Sequence, residues 1–373
     1  MPINMPSTMV DVRHKRPALK ALTSIRFFAA MYVVLFHLHI GFNVTRVPLV
    51  APFMASGYTG VTLFFVLSGF ILAYNYPEVR SAKEFWIARF ARIYPVYALS
   101  LLLSLMRPGA WHEPHLAVGC VLDFGLLQAW WIPLFSALNS AAWTLSVEAF
   151  FYAMFPVLLP LLRTMRTKVF CLLQAAYLLF VCLPAVLSFS RFAQQGIHLA
   201  GLIEGPFPLF RLNTFAVGVF VGTRYLAHHQ ENRVQEQRSG KSNIRLSASI
   251  LSSVGLLCLA PAPAFLPLRT LLLTYAFVWV IVELADVAWP MLTNHWMQVA
   301  GEISYGIYIL QFPVGLAVDG LWRRWVSSTV EALPLHVLAI LVAAYVSYRW
   351  FETPTRLTIR RALTGRPVLV RPV

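Results

Sequence analysis

Apolar runs of about twenty residues recur from residue 21 to residue 351, with nothing between them long enough to fold as a separate soluble domain. A run of that length lying in lipid must satisfy its backbone polar groups within itself, which an α-helix does and an open strand does not. Composition points the same way. Of 373 residues, 58% are hydrophobic and only 12% charged, about half the charged share of a soluble domain. The chain is therefore expected to be an all-α polytopic membrane protein whose helical bundle carries any chemistry. The longest polar segment, residues 228–245, reads as a loop.

Eleven apolar segments can be drawn, at about 21–40, 57–75, 90–106, 116–135, 143–162, 168–189, 207–227, 246–265, 268–287, 297–317 and 333–351. Basic residues collect on the cytoplasmic side of membrane proteins. If all eleven segments crossed, Arg163, Arg166, Lys168 and the basic loop 224–245 would face outward, against Arg13, Lys15, Arg16, Lys20, Arg80, Lys83, Arg89 and Arg92 facing inward. If 116–135, with its Asp123 and Trp130–Trp131 pair, is re-entrant or interfacial, ten crossings remain and every strongly basic stretch is cytoplasmic. Arg46, Arg107, Arg191 and the Arg323–Arg324 pair stay outside. The expected layout is a basic cytoplasmic segment 1–20, a membrane domain 21–352 and a basic cytoplasmic tail 353–373. The first apolar run is too long for a signal sequence and lacks a small-x-small cleavage site, so it reads as the first membrane helix.

The formal net charge of +15 belongs to these loops rather than to nucleic-acid binding, since no zinc-finger spacing or RNA-binding pattern accompanies it. Cys120, Cys171, Cys182 and Cys258 all fall in apolar segments without a CxxC pair. Core packing is expected of them, with no metal site and no disulfide framework.

Ionisable residues inside apolar helices mark function by default. Arg26 and His37, eleven positions apart, project from one helix face about 16 Å apart along the axis, while His39 points away to the interface. Glu148 sits about one and a half turns into the helix starting near Trp143. At the depth of His37 it is expected to face the imidazole, fixing its tautomer and stabilising the cation formed on proton transfer. Arg89 and Arg92, at i and i+3 on a cytoplasmic helix end, can grip a polyphosphate. Glu283, Asp286, Glu302 and Glu352 read as structural. Gly69 reads as a close helix contact, with Ser68 hydrogen-bonding inside the membrane.

Six short motifs then occur in order: Arg26 and His37 with ten residues between them, "FFVLSGF" (64–70), "RFARIYP" (89–95), "WTLSVEAFFY" (143–152), "ISYGIYIL" (303–310) and "FETP" (351–354). Together they resemble the membrane-bound acyltransferase family 3, ten-helix enzymes that O-acylate bacterial surface and exported polysaccharides. The resemblance implies catalytic His37 and Glu148, donor-binding Arg26, Arg89 and Arg92, and supporting Ser68 and Trp143. It implies acetyl-CoA as a co-substrate with no permanently bound cofactor, and an acceptor such as a lipid-linked exopolysaccharide repeat unit. The lipid bilayer is the remaining partner, and the cytoplasmic (inner) membrane the expected location. One position departs: many relatives carry histidine where this chain has Gln311, which puts that residue's part in acceptor binding in doubt. A transporter or flippase of a lipid-linked sugar would also bury charge in a bundle, but no inverted or parallel repeat supports it. A membrane glycosyltransferase is disfavoured because Glu113 and Glu204 are isolated rather than paired.

Overall fold

The computed structural model describes residues 18–42, 50–107, 109–231, 241–259, 261–286, 289–322 and 333–364. In chain order its helices are α1 (Lys20–Phe42), α2 (Val50–Ala55), α3 (Gly60–Asn75), α4 (Ala82–Leu105), α5 (Leu116–Phe124), α6 (Trp143–Thr164), α7 (Thr167–Ser188) and α8 (Ala193–Glu204). They continue with α9 (Pro208–Glu231), α10 (Lys241–Cys258), α11 (Leu266–Ala285), α12 (Pro290–Thr293), α13 (His295–Trp322), α14 (Leu333–Val346) and α15 (Thr353–Thr364). A π turn over Ser347–Glu352 joins the last two. No strand occurs among the described residues.

Among the described residues, seven helical stretches are long and apolar enough to cross a membrane: α1, α3 with the turn before it, α4, α6, α7, α11 with the turn before it, and the continuous 333–364 unit. The expected segment 116–135 is instead broken. It forms the nine-residue α5 and two single turns over Gln128–Trp130 and Ile132–Leu134, and nine residues rise only about 13 Å of the roughly 30 Å hydrocarbon core. Helix α8 corresponds to no apolar segment. Its buried residues Gly196, Ala200 and Ile203 lie on one face, with Gly196 against Pro184 and Leu187 of α7, while Gln194, Gln195, His198 and Glu204 interrupt the apolar run. The N-terminal segment 1–20, the external Arg46 and Arg323–Arg324, the His39 side chain and the tail beyond residue 364 lie wholly or largely outside the described residues, and the expected loop 228–245 is helical at both ends, in α9 to Glu231 and α10 from Lys241, with 232–240 outside them.

Glycine sets how close the central helices come. A Cβ on Gly69 would meet the Phe215 carbonyl oxygen at 2.3 Å, one on Gly218 the Val66 oxygen at 2.1 Å, and one on Gly222 the Phe70 oxygen at 2.7 Å. Helices α3 and α9 therefore touch backbone to backbone, as small residues permit in lipid, where no hydrophobic drive pulls helices together. Gly301 does the same for α13 against Thr23 of α1.

Two prolines complete the frame. Pro156 inside α6 cannot donate to the Tyr152 carbonyl, and the Trp86 indole of α4 donates to it instead at 3.0 Å. Pro313 inside α13 frees the Ile309 carbonyl, which accepts from Asn139 Nδ2 at 2.9 Å. The outer segment is thus pinned to the bundle by a bond that a regular helix would not leave open. Core packing does not describe all the cysteines: Cys171 and Cys258 are exposed on the outside of the bundle, while Cys120 and Cys182 are partly covered.

Candidate active site

Helices α1, α3, α4, α6 and α13 enclose a cavity of about 310 Å³. On α3 its lining runs from Val61 to Asn75, fourteen residues apart, or about 21 Å along the helix. Arg26, Arg89 and Arg92 line it together with Ser68 and Glu148, so five residues singled out in the sequence meet in one space. His37 and Trp143 do not line it.

Arg89 lies at the end marked by Asn75, bonded to the neighbouring Tyr76. Arg92 Nη2 is 3.9 Å from Glu302 Oε2. Arg89 Nη2 donates to the Tyr76 hydroxyl at 3.4 Å, its guanidinium lies 5.7 Å from the Tyr76 ring centre, and its buried Nε has no partner among the described residues. Glu352, 2% exposed at the end of the π turn, faces the charges of Arg92 and Arg26. Two of the four carboxylates read from sequence as structural, Glu302 and Glu352, therefore sit beside these arginines. A π turn adds one residue to a helical turn and is often found at functional sites. Here it turns Glu352 inward and leaves Phe351 exposed.

Glu148 is not the partner of His37, which corrects the expected pairing. Glu148 Oε1 accepts from Ser68 Oγ at 3.4 Å and from the Tyr152 hydroxyl one turn along α6. His37 Nδ1 instead lies 2.9 Å from Gln311 Oε1 on α13. Gln311 Nε2 donates to the Tyr308 carbonyl at 2.7 Å, and a carbonyl only accepts, so the amide oxygen is the end turned toward the ring. The proton of this bond therefore resides on His37 Nδ1, leaving Nε2 as the basic nitrogen. The Phe312 ring packs edge-on to the imidazole, with centroids 4.8 Å apart. The equal depth expected of the two residues fails as well: Phe36, beside His37, meets Gly57, whereas Glu148 meets Ser68 eleven positions further along, about 16 Å at the helical rise. Arg26 and His37 both turn toward α13, as their shared face requires: Arg26 lines the cavity with Glu302, and His37 meets Gln311. Trp143, at the start of α6, packs edge-on to Phe65 at 6.4 Å, with the Arg211 guanidinium 6.0 Å from its ring centre. It supports the cavity wall from behind.

A family profile described as an acyltransferase domain matches residues 19–348. The chain belongs to acyltransferase family 3. It is 28% identical to the acyltransferase MdmB of Streptomyces mycarofaciens, with 95% of each chain covered. It is 22% identical to the peptidoglycan O-acetyltransferase OatA of Listeria monocytogenes over 92% of its own length but only 57% of OatA. It is 24% identical to the putative acetyltransferase ORF330 of Acidianus two-tailed virus, over 77% of this chain and 81% of that one. No solved structure matches.

Within this acyltransferase the family motifs converge on one region. "FFVLSGF" supplies the α3 wall, "RFARIYP" the arginines, "WTLSVEAFFY" Glu148 and Tyr152, and "ISYGIYIL" the α13 wall with Tyr305 and Tyr308. The tyrosines were missed in the sequence. Tyr152 falls one turn after Glu148, and Tyr305 and Tyr308 fall one and two turns after Glu302, a spacing that was available as a signal.

Proposed function

We propose that this acyltransferase transfers an acetyl group from acetyl-CoA to a sugar hydroxyl of a surface or exported polysaccharide, a lipid-linked exopolysaccharide repeat unit being the favoured acceptor. The observation that carries the reading is the cavity: three arginines line it, and it reaches Tyr308, whose carbonyl holds Gln311 against His37. Phosphate groups pair with guanidinium forks, and an extended pantetheine arm of about 15–20 Å, the length of some five extended residues, matches the span of the lining. The name of OatA, a peptidoglycan O-acetyltransferase, supports an acetyl group and a glycan acceptor. Membership of an acyltransferase family favours group transfer over the transporter alternative.

The topology that goes with this reading has ten crossings in the cytoplasmic membrane, by α1, α3, α4, α6, α7, α9, α10, α11, α13 and α14. Residues 109–142 lie at the outer face and both ends of the chain inside. Arg89 and Arg92 then meet the cytosolic donor. His37 Nε2 takes the proton of an acceptor hydroxyl as its oxygen attacks the thioester carbon. The C–O ester bond forms, the C–S bond breaks, and the proton passes to the departing sulfur. Glu148, fixed by Ser68 and Tyr152, sets a negative charge midway along the arm and balances the three arginines.

The test is purified full-length protein in lipid, supplied with acetyl-CoA and a lipid-linked oligosaccharide, with ester formation followed by mass spectrometry. New ester on the glycan is the expected result. No acetyl-CoA consumption in the wild type would return the chain to the transporter reading. Cysteine labelling at Arg166 and Arg245 should report the inside, and labelling of both from outside overturns the ten-crossing layout.

A further inference from the structure

Two carboxylates line the cavity with the three arginines, and they are held differently. Glu148 accepts from the Ser68 and Tyr152 hydroxyls, which fix it in place. Glu302, on the α13 wall, has one close partner among the described residues, Arg92 of α4, and their nitrogen and oxygen lie 3.9 Å apart. That is too far for a hydrogen bond. Both side chains keep part of their surface exposed, 26% for Arg92 and 30% for Glu302. An ion pair so loose and so accessible contributes little net stability. Nor is it needed to join its helices, since the Tyr305 hydroxyl of α13 donates to the Ile93 carbonyl of α4 at 2.5 Å. Glu302 also faces the charge of Arg26, so one loosely held carboxylate acts on two of the three guanidiniums.

We propose that Glu302 is a displaceable counter-ion, which occupies Arg92 while the cavity is empty and gives it up to a phosphate group of the coenzyme A donor. The inference rests on the proposed reading, in which Arg92 meets those phosphates. Contacts between a guanidinium fork and phosphate are strong. Three unopposed arginines would hold the acylated donor and the spent coenzyme A equally well, because both carry the same phosphates. Binding that is uniform along the reaction does not speed the chemical step, and slow product release limits turnover in many enzymes. A resident carboxylate that competes for Arg92 and repels the incoming phosphate weakens both ligands and shortens the stay of the product. It also balances Arg92 between turnovers, when a bare guanidinium inside the bundle would be costly. Glu352 cannot take this part. It is 2% exposed and does not line the cavity, so a phosphate there cannot push it aside.

The experiment titrates free coenzyme A onto the full chain in lipid by calorimetry and follows its release by stopped flow. Glu302→Gln and Glu302→Met are neutral and of similar length. Both should bind coenzyme A at least about threefold tighter than the wild type and release it more slowly, with a lower KM for acetyl-CoA. The gain should shrink in high salt, which screens partly exposed charges, and should be missing for acetyl-pantetheine, which has no phosphate. Coenzyme A binding equal to or weaker than that of the wild type in both variants overturns the inference, and Glu302 then positions Arg92 or holds the fold. A gain of the same size on acetyl-pantetheine overturns it too. Either result leaves the acyltransferase reading standing. Undiminished coenzyme A binding by Arg92→Ala overturns the inference through its premise, and a wild type that binds no coenzyme A ends both readings together.

Discussion

His37 and Gln311 are 274 positions apart in sequence, and their side chains meet at 2.9 Å, Nδ1 to Oε1. That contact gives the imidazole one defined tautomer inside the bundle. It also gives Gln311 a specific task at the position where many relatives carry histidine. On the proposed reading, His37→Ala lowers ester formation by about 10²- to 10⁴-fold. Gln311→Leu, which removes one neutral hydrogen bond worth about 0.5–1.5 kcal/mol, lowers it only about 2- to 13-fold. Both variants should still bind acyl-CoA. Near-normal turnover by His37→Ala sinks the general-base assignment and leaves Glu148, the carboxylate that does line the cavity, as the candidate.

Arg89→Ala and Arg92→Ala should each weaken acyl-CoA use by about 10- to 150-fold, the range of a charge-assisted contact worth about 1.5–3 kcal/mol. Lysine restores only part, because it lacks the planar fork. The discriminating readout is a pantetheine thioester without phosphates, on which these variants should match the wild type. Glu352→Gln, acting through Arg92, should follow the same pattern with a smaller loss. An equal loss on both donors means that the residue holds the fold rather than the phosphates.

Gly218→Ala places a methyl group where the Val66 carbonyl oxygen would lie 2.1 Å away and the Phe70 nitrogen 3.1 Å away. Neither is the end of a flexible side chain, so α3 and α9 must separate, at a cost of about 1–3 kcal/mol. Thermal unfolding in detergent should show a lower melting temperature, with weakened donor binding because α3 forms much of the cavity wall. Gly255→Ala is the control: nothing lies within 4 Å of the added Cβ, and alanine is the better helix former. If the two substitutions have equal effects, the backbone contact between α3 and α9 is not what sets stability.

Asp123, on α5 outside the seven candidate spans, is fully buried. Its Oδ2 accepts from the Leu138 backbone N–H at 3.2 Å, and its Oδ1 has no partner among the described residues. Burial without a counter-charge pushes its carboxyl up to about 7, from an ordinary 3.8. The folded protein thus keeps this proton over a range in which the unfolded chain has released it. The stabilisation is complete below about pH 4 and is lost as pH rises through about 7. Asp123→Asn keeps an acceptor for Leu138 and removes the titration. Its melting temperature should exceed that of the wild type at pH 8, with the gap closing toward pH 5. A gap that is constant with pH would show that Asp123 is not the titrating group.

The sequence by itself determined the solvent and the class of fold, because runs of apolar residues of membrane length admit few structures other than helices. It also determined which residues are out of place in such helices: Arg26, His37 and Glu148 are each costly in lipid and visible for that reason, while Arg89 and Arg92 were visible as an i, i+3 pair at a helix end. Periodicity placed Arg26 and His37 on one face, and both do turn toward α13. Gly69 was legible as a close contact, while its partners Gly218 and Gly222 were not, since a small residue does not announce which backbone it admits. Only the tertiary structure decided which helices are neighbours. Counting residues gives depth only relative to where each helix begins, and both that level and rotation about the bundle axis depend on packing among helices far apart in sequence. Counting residues puts Glu148 and His37 at one depth, yet Glu148 bonds Ser68 and Tyr152, while His37 follows Phe36, which meets Gly57 eleven positions before Ser68, and turns to Gln311. For the same reason Glu302 and Glu352, unremarkable in the chain, stand beside the arginines. A π turn and a glycine contact, neither legible from apolar periodicity, bring their helices inward.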